Sequence, residues 1–255
     1  MNKRVALFGL LAFVSTMAYA QPTSVVSVEG LREFLNCRHF FLMQQPPANP
    51  LEQKTNARRF CNADFALTYS AATKTPIYSA QFINKTQAYG QSNRPRPSAF
   101  LPDPSLKPFE MGAIEDYVGT PWKITQLTNL PGGTTNNSAM ISNTVPLTEE
   151  TAQIWKNLSS YVASTAIYSD DTVFEVNGLL FEGNVTKIGI SEIWVPSHLY
   201  KVIFSTKNKT ATSWLIENTD EHKRSERLPK PISYLDISKR VPINFMPALV
   251  IKVNE

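Results

Sequence analysis

Cysteine and histidine are both scarce in this chain of 255 residues, and each scarcity removes a class of chemistry. The two cysteines, Cys37 and Cys61, have no second cysteine or histidine at the spacing of a metal clip, and His39, two residues from Cys37, is too close to complete one. The other histidines stand apart, His198 in a Val-Pro-Ser-His turn and His222 in a charged stretch. Long apolar runs are missing too. Val5 to Val14 stops at Ser15-Thr16, short of the roughly 20 residues that a membrane-spanning helix needs. Glycine is sparse, ten against eighteen prolines, which indicates ordered loops rather than a disordered chain. The one Gly-rich stretch, Pro131 to Ser138, is not followed by Gly-Lys-Ser/Thr, so it is read as a flexible loop and not a phosphate cradle. Strong charge of one sign is also lacking: a formal +4 does not by itself announce a nucleic-acid binder.

What is present begins with a leader. Asn2-Lys3-Arg4 is a positive start, Val5 to Val14 an apolar core and Ala18-Tyr19-Ala20 a small-x-small cleavage site, so residues 1–20 are expected to be a signal peptide and the product periplasmic or secreted. Its removal takes Lys3 and Arg4 and no acid, lowering the formal charge from +4 to +2. In an oxidising compartment Cys37 and Cys61 most simply form a disulfide, closing the Pro-rich loop between them. Residues 21–255 are expected to form one domain with no membrane attachment.

Periodicity supplies the elements. Ser27 to Met43 is read as a short amphipathic helix ending near Cys37, and Gln44 to Arg59 as a polar surface loop. Phe65 to Phe82 is read as a β-hairpin turning at Ala71 to Thr75. Thr148 to Thr165 is the clearest helix: Thr148 caps it, Glu149 and Glu150 suit its positive end, and Trp155, Leu158 and Val162 share a face. A strand is expected at Thr172 to Gly178, a turn and strand at Ile193 to Phe204 with its partner at Ala211 to Ile216, a charged loop at Asn218 to Lys230, and a short helix and apolar anchor within Ile232 to Leu249. Asp170-Asp171 is read as a solvated turn and His198 as structural. No internal repeat is evident.

Three segments carry a resemblance: Asp116-Tyr117-Val118-Gly119-Thr120-Pro121-Trp122-Lys123-Ile124-Thr125-Gln126-Leu127, then Ser142-Asn143-Thr144-Val145-Pro146, then Ile154-Trp155-Lys156-Asn157-Leu158-Ser159. Their frame resembles that of the DNA/RNA non-specific endonucleases, whose segments read Asp-Tyr-x-Gly-Ser-Gly-Tyr-Asp-Arg-Gly-His-Leu, Ser-Asn-x-Val-Pro-Gln and Asn-x-Gly-x-Trp-x-x-Leu-Glu. The hairpin's Thr73-Lys74-Thr75-Pro76-x-Tyr78 and the Phe100-x-x-Asp103-x-x-Leu106 run follow the same family in the same order, so the resemblance spans about Cys37 to Leu249. It implies an α+β protein of the ββα-metal, His-Me finger type, with a central, mainly antiparallel sheet flanked by helices.

The family's chemistry does not carry over with its frame. Cleaving a phosphodiester needs a base for the attacking water and a cation for the developing charge. The resemblance implies a histidine and a Mg²⁺-holding asparagine for these, helped by arginines and a glutamate. The histidine position holds Gln126, which takes up no proton near neutral pH, and the arginine position before it holds Ile124. Counting from Trp155, the asparagine position holds Thr151, the glutamate position Ser159 and the next arginine position Ala163. The first expectation is therefore an exported, catalytically inactive relative, not an enzyme, that works by binding a protein partner or weakly binding nucleic acid, with no cofactor. The alternative is a secreted nuclease with a rearranged site, holding Mg²⁺ through Thr151 and Asn143. Lys123 and Trp122 are the candidate nucleic-acid contacts, although an exposed lysine and a core aromatic are the plainer readings.

Overall fold

The structure, a computed structural model, describes residues 34–92, 97–222, 227–241 and 243–245; the leader and cleavage site lie outside them. A six-stranded sheet organises these residues, in the order β1 (Arg58–Cys61), β2 (Ala66–Ser70), β3 (Thr75–Ile83), β6 (Val173–Leu180), β9 (His198–Ser205) and β10 (Thr210–Glu217). Every pairing is antiparallel. Two small two-stranded sheets accompany it, β4 (Lys123–Gln126) with β5 (Thr144–Leu147), and β7 (Lys187–Ile188) with β8 (Ile193–Trp194).

Strand alternation sends side chains to two cores, as period 2 requires. On one face Tyr78, Ala80, Val176, Tyr200, Val202 and Phe204 meet Phe34, Phe40 and Phe41, with α4 (Tyr234–Arg240) and Phe245 completing the layer. Gly178 is required there: it stands opposite Tyr200, and a Cβ at this position would lie 2.0 Å from the Tyr200 hydroxyl. On the other face Ile83, Val173, Leu179, Leu199, Trp214 and Ile216 receive α3 (Glu149–Tyr168) through Ile154, Trp155, Leu158 and Val162. The α3 stripe is the one its sequence period predicts, and the Thr148 hydroxyl caps it by accepting from the Thr151 N–H.

The α3 face also encloses polar groups. Lys201 on β9 is fully buried, and its ammonium donates to Glu175 and to Asn177 on β6, each at 2.6 Å. Gln81 on β3 donates to the same Glu175 at 3.3 Å and to the Asn129 carbonyl at 3.2 Å. The Trp155 ring sits over the ammonium, 4.6 Å from its centroid. Burial lowers the Lys201 pKa and Glu175 opposes it.

The disulfide expected between Cys37 and Cys61 is present, with Cα atoms 5.6 Å apart and a sequence separation of 24. Loop-closure entropy for that span amounts to about 3 kcal/mol. The expected helix over Ser27 to Met43 is instead two 3-10 turns, Leu35–Phe40 and Leu42–Gln44, where described, because Cys37 and Met43 leave helical backbone geometry. The loop expected over Gln44 to Arg59 holds a one-turn helix, α1 (Pro50–Lys54), and the start of β1. Asn49 caps α1 by accepting from the Leu51 N–H, and Pro50 supplies the pre-set first position. Another helix, α2 (Lys85–Ser92), fills the stretch after β3. The hairpin, the three later strands and α4 lie where expected, whereas the distal part of the final anchor and residues 223–226 of the charged loop fall outside the described residues. Asp171 is not solvated: it is buried and accepts from the hydroxyls of Ser205 and Thr206 and the Lys207 N–H, tying the end of α3 to the β9–β10 turn.

His198 is a structural residue of the α4 side. Its Nε2 faces the Arg240 guanidinium at 3.1 Å and its Nδ1 lies 3.2 Å from Glu182, which Arg240 also pairs. Burial and the Arg240 charge lower the His198 pKa, with Glu182 and Glu217 opposing. In the unfolded chain the ring titrates near pH 6.5, so the folded protein loses stability as pH falls from about 6.5 towards the lower folded value. His198→Gln should flatten that part of the stability curve, measured by urea unfolding between about pH 7.5 and 5.5. The buried pair sets a second expectation. Lys201→Met leaves Glu175 unpaired and should cost about 3–5 kcal/mol, whereas adding Glu175→Leu should recover part of that loss in a double-mutant cycle.

Candidate functional site

Everything between Ile83 at the end of β3 and Val173 at the start of β6 is one excursion from the sheet, since these two residues pair with each other. The excursion carries all three resemblance segments, and each is fixed by a specific contact. Asp116 is buried in a 3-10 turn, Ile114–Tyr117, and its carboxylate accepts from the Ala113 N–H at 2.7 Å and the Ser191 N–H at 3.1 Å. Burial pushes its pKa up, but the bonds from Ser191, Ala113 and Ile190 outweigh this and hold it below the usual range. The motif's aspartate thus locks the strand entry to the β7–β8 turn.

β4 follows and pairs with β5 in the register Lys123–Leu147, Ile124–Pro146, Thr125–Val145 and Gln126–Thr144. Immediately after β4, the Leu127 carbonyl accepts from the Trp155 indole at 3.1 Å, which sets β4 against α3. Asn143 fixes the chain leaving the intervening loop. Fully buried, it accepts from the Thr128 N–H at 3.0 Å and donates to the carbonyls of Thr128 and Ser138 at 3.1 and 2.9 Å. The loop from Pro131 to Ser138, expected to be flexible, is pinned instead: Thr135 and Asn137 both donate to Asp64 at 2.8 Å.

Between β4 and the first two turns of α3 lies a cleft of about 480 Å³. β4 contributes Lys123, Ile124, Thr125 and Gln126; the helix contributes Glu149, Ala152, Gln153 and Lys156; and Phe100, Asn129 and Thr134 close the sides. The helix residues follow the spacing i, i+3, i+4, i+7, a stripe beside the buried one that is polar except at Ala152. Lys123 lies 3.6 Å from Glu149, both exposed. The cleft therefore presents two ammonium groups, three carboxamides, two hydroxyls and one carboxylate, with an aromatic ring at one end.

The structure brings Lys123, Ile124 and Gln126 together in this cleft and places the other candidates elsewhere. The Gln126 amide nitrogen donates to the Ser138 carbonyl at 2.7 Å. Ile124 and Trp122 also pack on the cluster of Tyr117, Ile188, Ile193 and Val195. Thr151 does not line the cleft; fully buried, its hydroxyl lies 3.2 Å from the carbonyls of Glu217 and Thr219 and accepts from the Thr219 N–H. Ser159 is buried and donates to the Trp155 carbonyl at 2.9 Å, and Ala163 is part of the core beneath α3. The residues at these positions do not fit a hydrated Mg²⁺: the hydroxyl of Thr151 and the amide of Asn143 are spent inside the protein, and the one carboxylate lining the cleft is paired with a lysine. Among the described residues no three His, Cys, Asp or Glu side chains gather in a metal-holding group. Asn129, Gln153 and Lys156 carried no expectation as cleft residues, although the helical spacing of Gln153 and Lys156 was a usable signal, whereas Phe100 stood in the family-like run before the site and Thr134 in the Gly-rich loop expected to lie over it.

Known proteins share this frame. The family model described as DNA/RNA non-specific endonuclease matches residues 47–245. The chain is similar to the mitochondrial nuclease EXOG of Danio rerio, 27% identical over 205 residues, covering 72% of this chain and 59% of that protein. It is likewise similar to the Homo sapiens protein of the same name, 27% identical over 217 residues, covering 76% and 58%. The Xenopus laevis protein is 31% identical over 165 residues, covering 58% and 45%. The chain thus spans between 45% and 59% of the length of these relatives. A chain in the crystal structure of the EndoG/EndoGI complex superposes with a TM-score of 0.64 at 16% identity, covering 79% of this chain and 94% of that one, a likeness of fold.

The lock at Asp116 can be tested at its tightest point. Gly189 has φ +66°, and a Cβ there would lie 2.2 Å from the Asp116 side chain. Gly189→Ala should destabilise the protein by about 2–4 kcal/mol in urea unfolding, combining backbone strain with displacement of a buried carboxylate.

Proposed function

The chain belongs to the DNA/RNA non-specific endonuclease family, whose model matches residues 47–245, and from that premise we propose that it is an exported member that binds an anionic ligand in its cleft without cleaving it. The observation that carries this reading is Gln126. It stands where the family's base is expected, and a carboxamide there neither accepts a proton from water nor is left idle, since it donates to the Ser138 carbonyl. Thr151 supports it, with its hydroxyl turned into the protein. Binding is supported by Lys123 and Lys156, two exposed ammonium groups on opposite walls of one cleft. Export rests on the leader at residues 1–20, and N-terminal sequencing of the protein from its native host should begin at Gln21.

With the disulfide intact, the protein should leave single- and double-stranded DNA and RNA uncut in Mg²⁺ or Mn²⁺, no faster than a Gln126→Ala control. Chelator-sensitive cleavage above that control overturns the non-cleaving reading and favours the rearranged nuclease. The same protein should bind a fluorescein-labelled oligonucleotide or heparin weakly and in a salt-dependent way. The Lys123→Glu/Lys156→Glu double variant should lose about tenfold in affinity in fluorescence anisotropy. Equal binding by that variant, or no binding of any polyanion, overturns the assignment of the cleft.

A further inference from the structure

Phe100 lines the cleft and also a second, largely apolar pocket of about 300 Å³, together with Leu101, Pro102, Met111, Ile114 and Ile141, so the two cavities share one lining residue. The surroundings of the second pocket are unusually apolar for a surface. Ile114 in its lining is 43% exposed, and Phe109 at 72% and Ile190 at 100% are exposed next in sequence to the lining residues Pro108 and Ser191. Isolated exposed apolar residues need no explanation, but several around one concave apolar pocket mark an interaction surface. The segment is also held rigidly, which lowers the cost of docking. The Leu101 N–H donates to the Ala139 carbonyl, its carbonyl accepts from Ile141, and Asp103 accepts from Ser142.

Taken together as one groove, the two pockets differ in charge. Lys123 and Lys156 line the first pocket, with Glu149 3.6 Å from Lys123, whereas the second is apolar apart from Ser191 and the exposed carboxylate of Glu115. We propose that the groove docks an extended segment of a protein partner that carries an acidic residue for the lysines and, a few residues away, a large apolar residue for the second pocket. This rests on the reading of the cleft as an anion-binding site and adds the apolar anchor and the class of ligand. A peptide fits the combination better than a single-stranded nucleic acid. The second pocket is aliphatic apart from Phe100, offers no stack of aromatic platforms, and has a carboxylate in its wall that repels phosphate. An apolar anchor seated in a pocket beside a charged contact is also the usual division of labour in peptide recognition.

The test is selection of random dodecapeptides displayed on phage against the immobilised, disulfide-intact protein. Enriched peptides are then synthesised with fluorescein and titrated by anisotropy. The enriched set should share an acidic residue and a Phe, Leu, Ile or Met within a few positions. Lys123→Glu/Lys156→Glu and, independently, Ile114→Asp should each weaken binding by about tenfold or more. Ile114 is an exposed lining residue, so its variant should keep the wild-type melting curve, and Ile114→Ala provides a milder second rim variant should it not. Tyr168→Asp, at the distal end of α3, should bind like wild type. Peptides that respond to the lysines but to neither rim variant overturn the docking groove while leaving the anion-binding cleft in place. A labelled deoxythymidine dodecamer whose binding falls tenfold in Ile114→Asp, with no peptide enriched, overturns it in favour of nucleic acid. Enriched peptides indifferent to all these variants, or none enriched and no oligonucleotide effect, overturn it outright.

Discussion

One buried charge holds the two halves of this protein in register. The Lys201 ammonium sits in the middle of the sheet, neutralised by Glu175, hydrogen-bonded to Asn177 and covered by the Trp155 ring. A charge without water must be met on every side, so the geometry around it is far less forgiving than that of an aliphatic contact. Trp155 satisfies two demands at once: its face covers the ammonium and its indole N–H binds the Leu127 carbonyl just past β4. The sheet, the long helix and the strand at the floor of the cleft are therefore located with respect to one another through a single side chain. Gln81 extends the network towards the cleft by joining Glu175 to the backbone of Asn129, whose side chain lies 3.5 Å from Ser159.

The same economy governs the positions at which the family frame leads one to expect catalytic groups. A catalytic group has to keep a donor or acceptor facing the substrate, and that unmet valence costs stability until the substrate arrives. At the inherited positions the valences are met internally. Gln126 donates to Ser138, Thr151 hydrogen-bonds with the chain around Thr219, and Ser159 donates back to its own helix. What remains on the walls of the cleft are groups suited to holding a ligand: ammoniums, amides and hydroxyls.

Much of this was legible in the sequence, and the exceptions have physical causes. Helix α3 could be read because its cap, first-turn acids and buried stripe all agree. β6 and β9 alternate cleanly except where Glu175, Asn177 and Lys201 put polar residues into the core face, and those three are where periodicity alone fails. α1 and β1 were hidden in a Pro-rich stretch whose composition resembles a loop, although Asn49-Pro50 is a sound start signal. Asp171 was misjudged because an aspartate beside a turn is usually solvated, and only the return of β9 supplies its hydroxyl partners. In the cleft, motif spacing picked out Gln126 and Lys123, whereas Asn129 joins it only through the fold and no local pattern announces it.

Ile83 and Val173 stand opposite each other, so the chain leaves the sheet and returns to it at one place. Chain entropy makes such a closed excursion tolerant of change, because the ends are already fixed and the interior length enters only logarithmically. The sheet on its other side is sealed by its own core and by the Cys37–Cys61 bridge, neither of which draws on the excursion. The excursion is nonetheless tied to the sheet on its other face, where Trp155, Leu158 and Val162 of α3 form half of the second core, so what is free to vary is the lining that α3 and β4 turn towards the cleft. Changes confined to that lining can alter what the cleft holds while the strand order and both cores stay as they are.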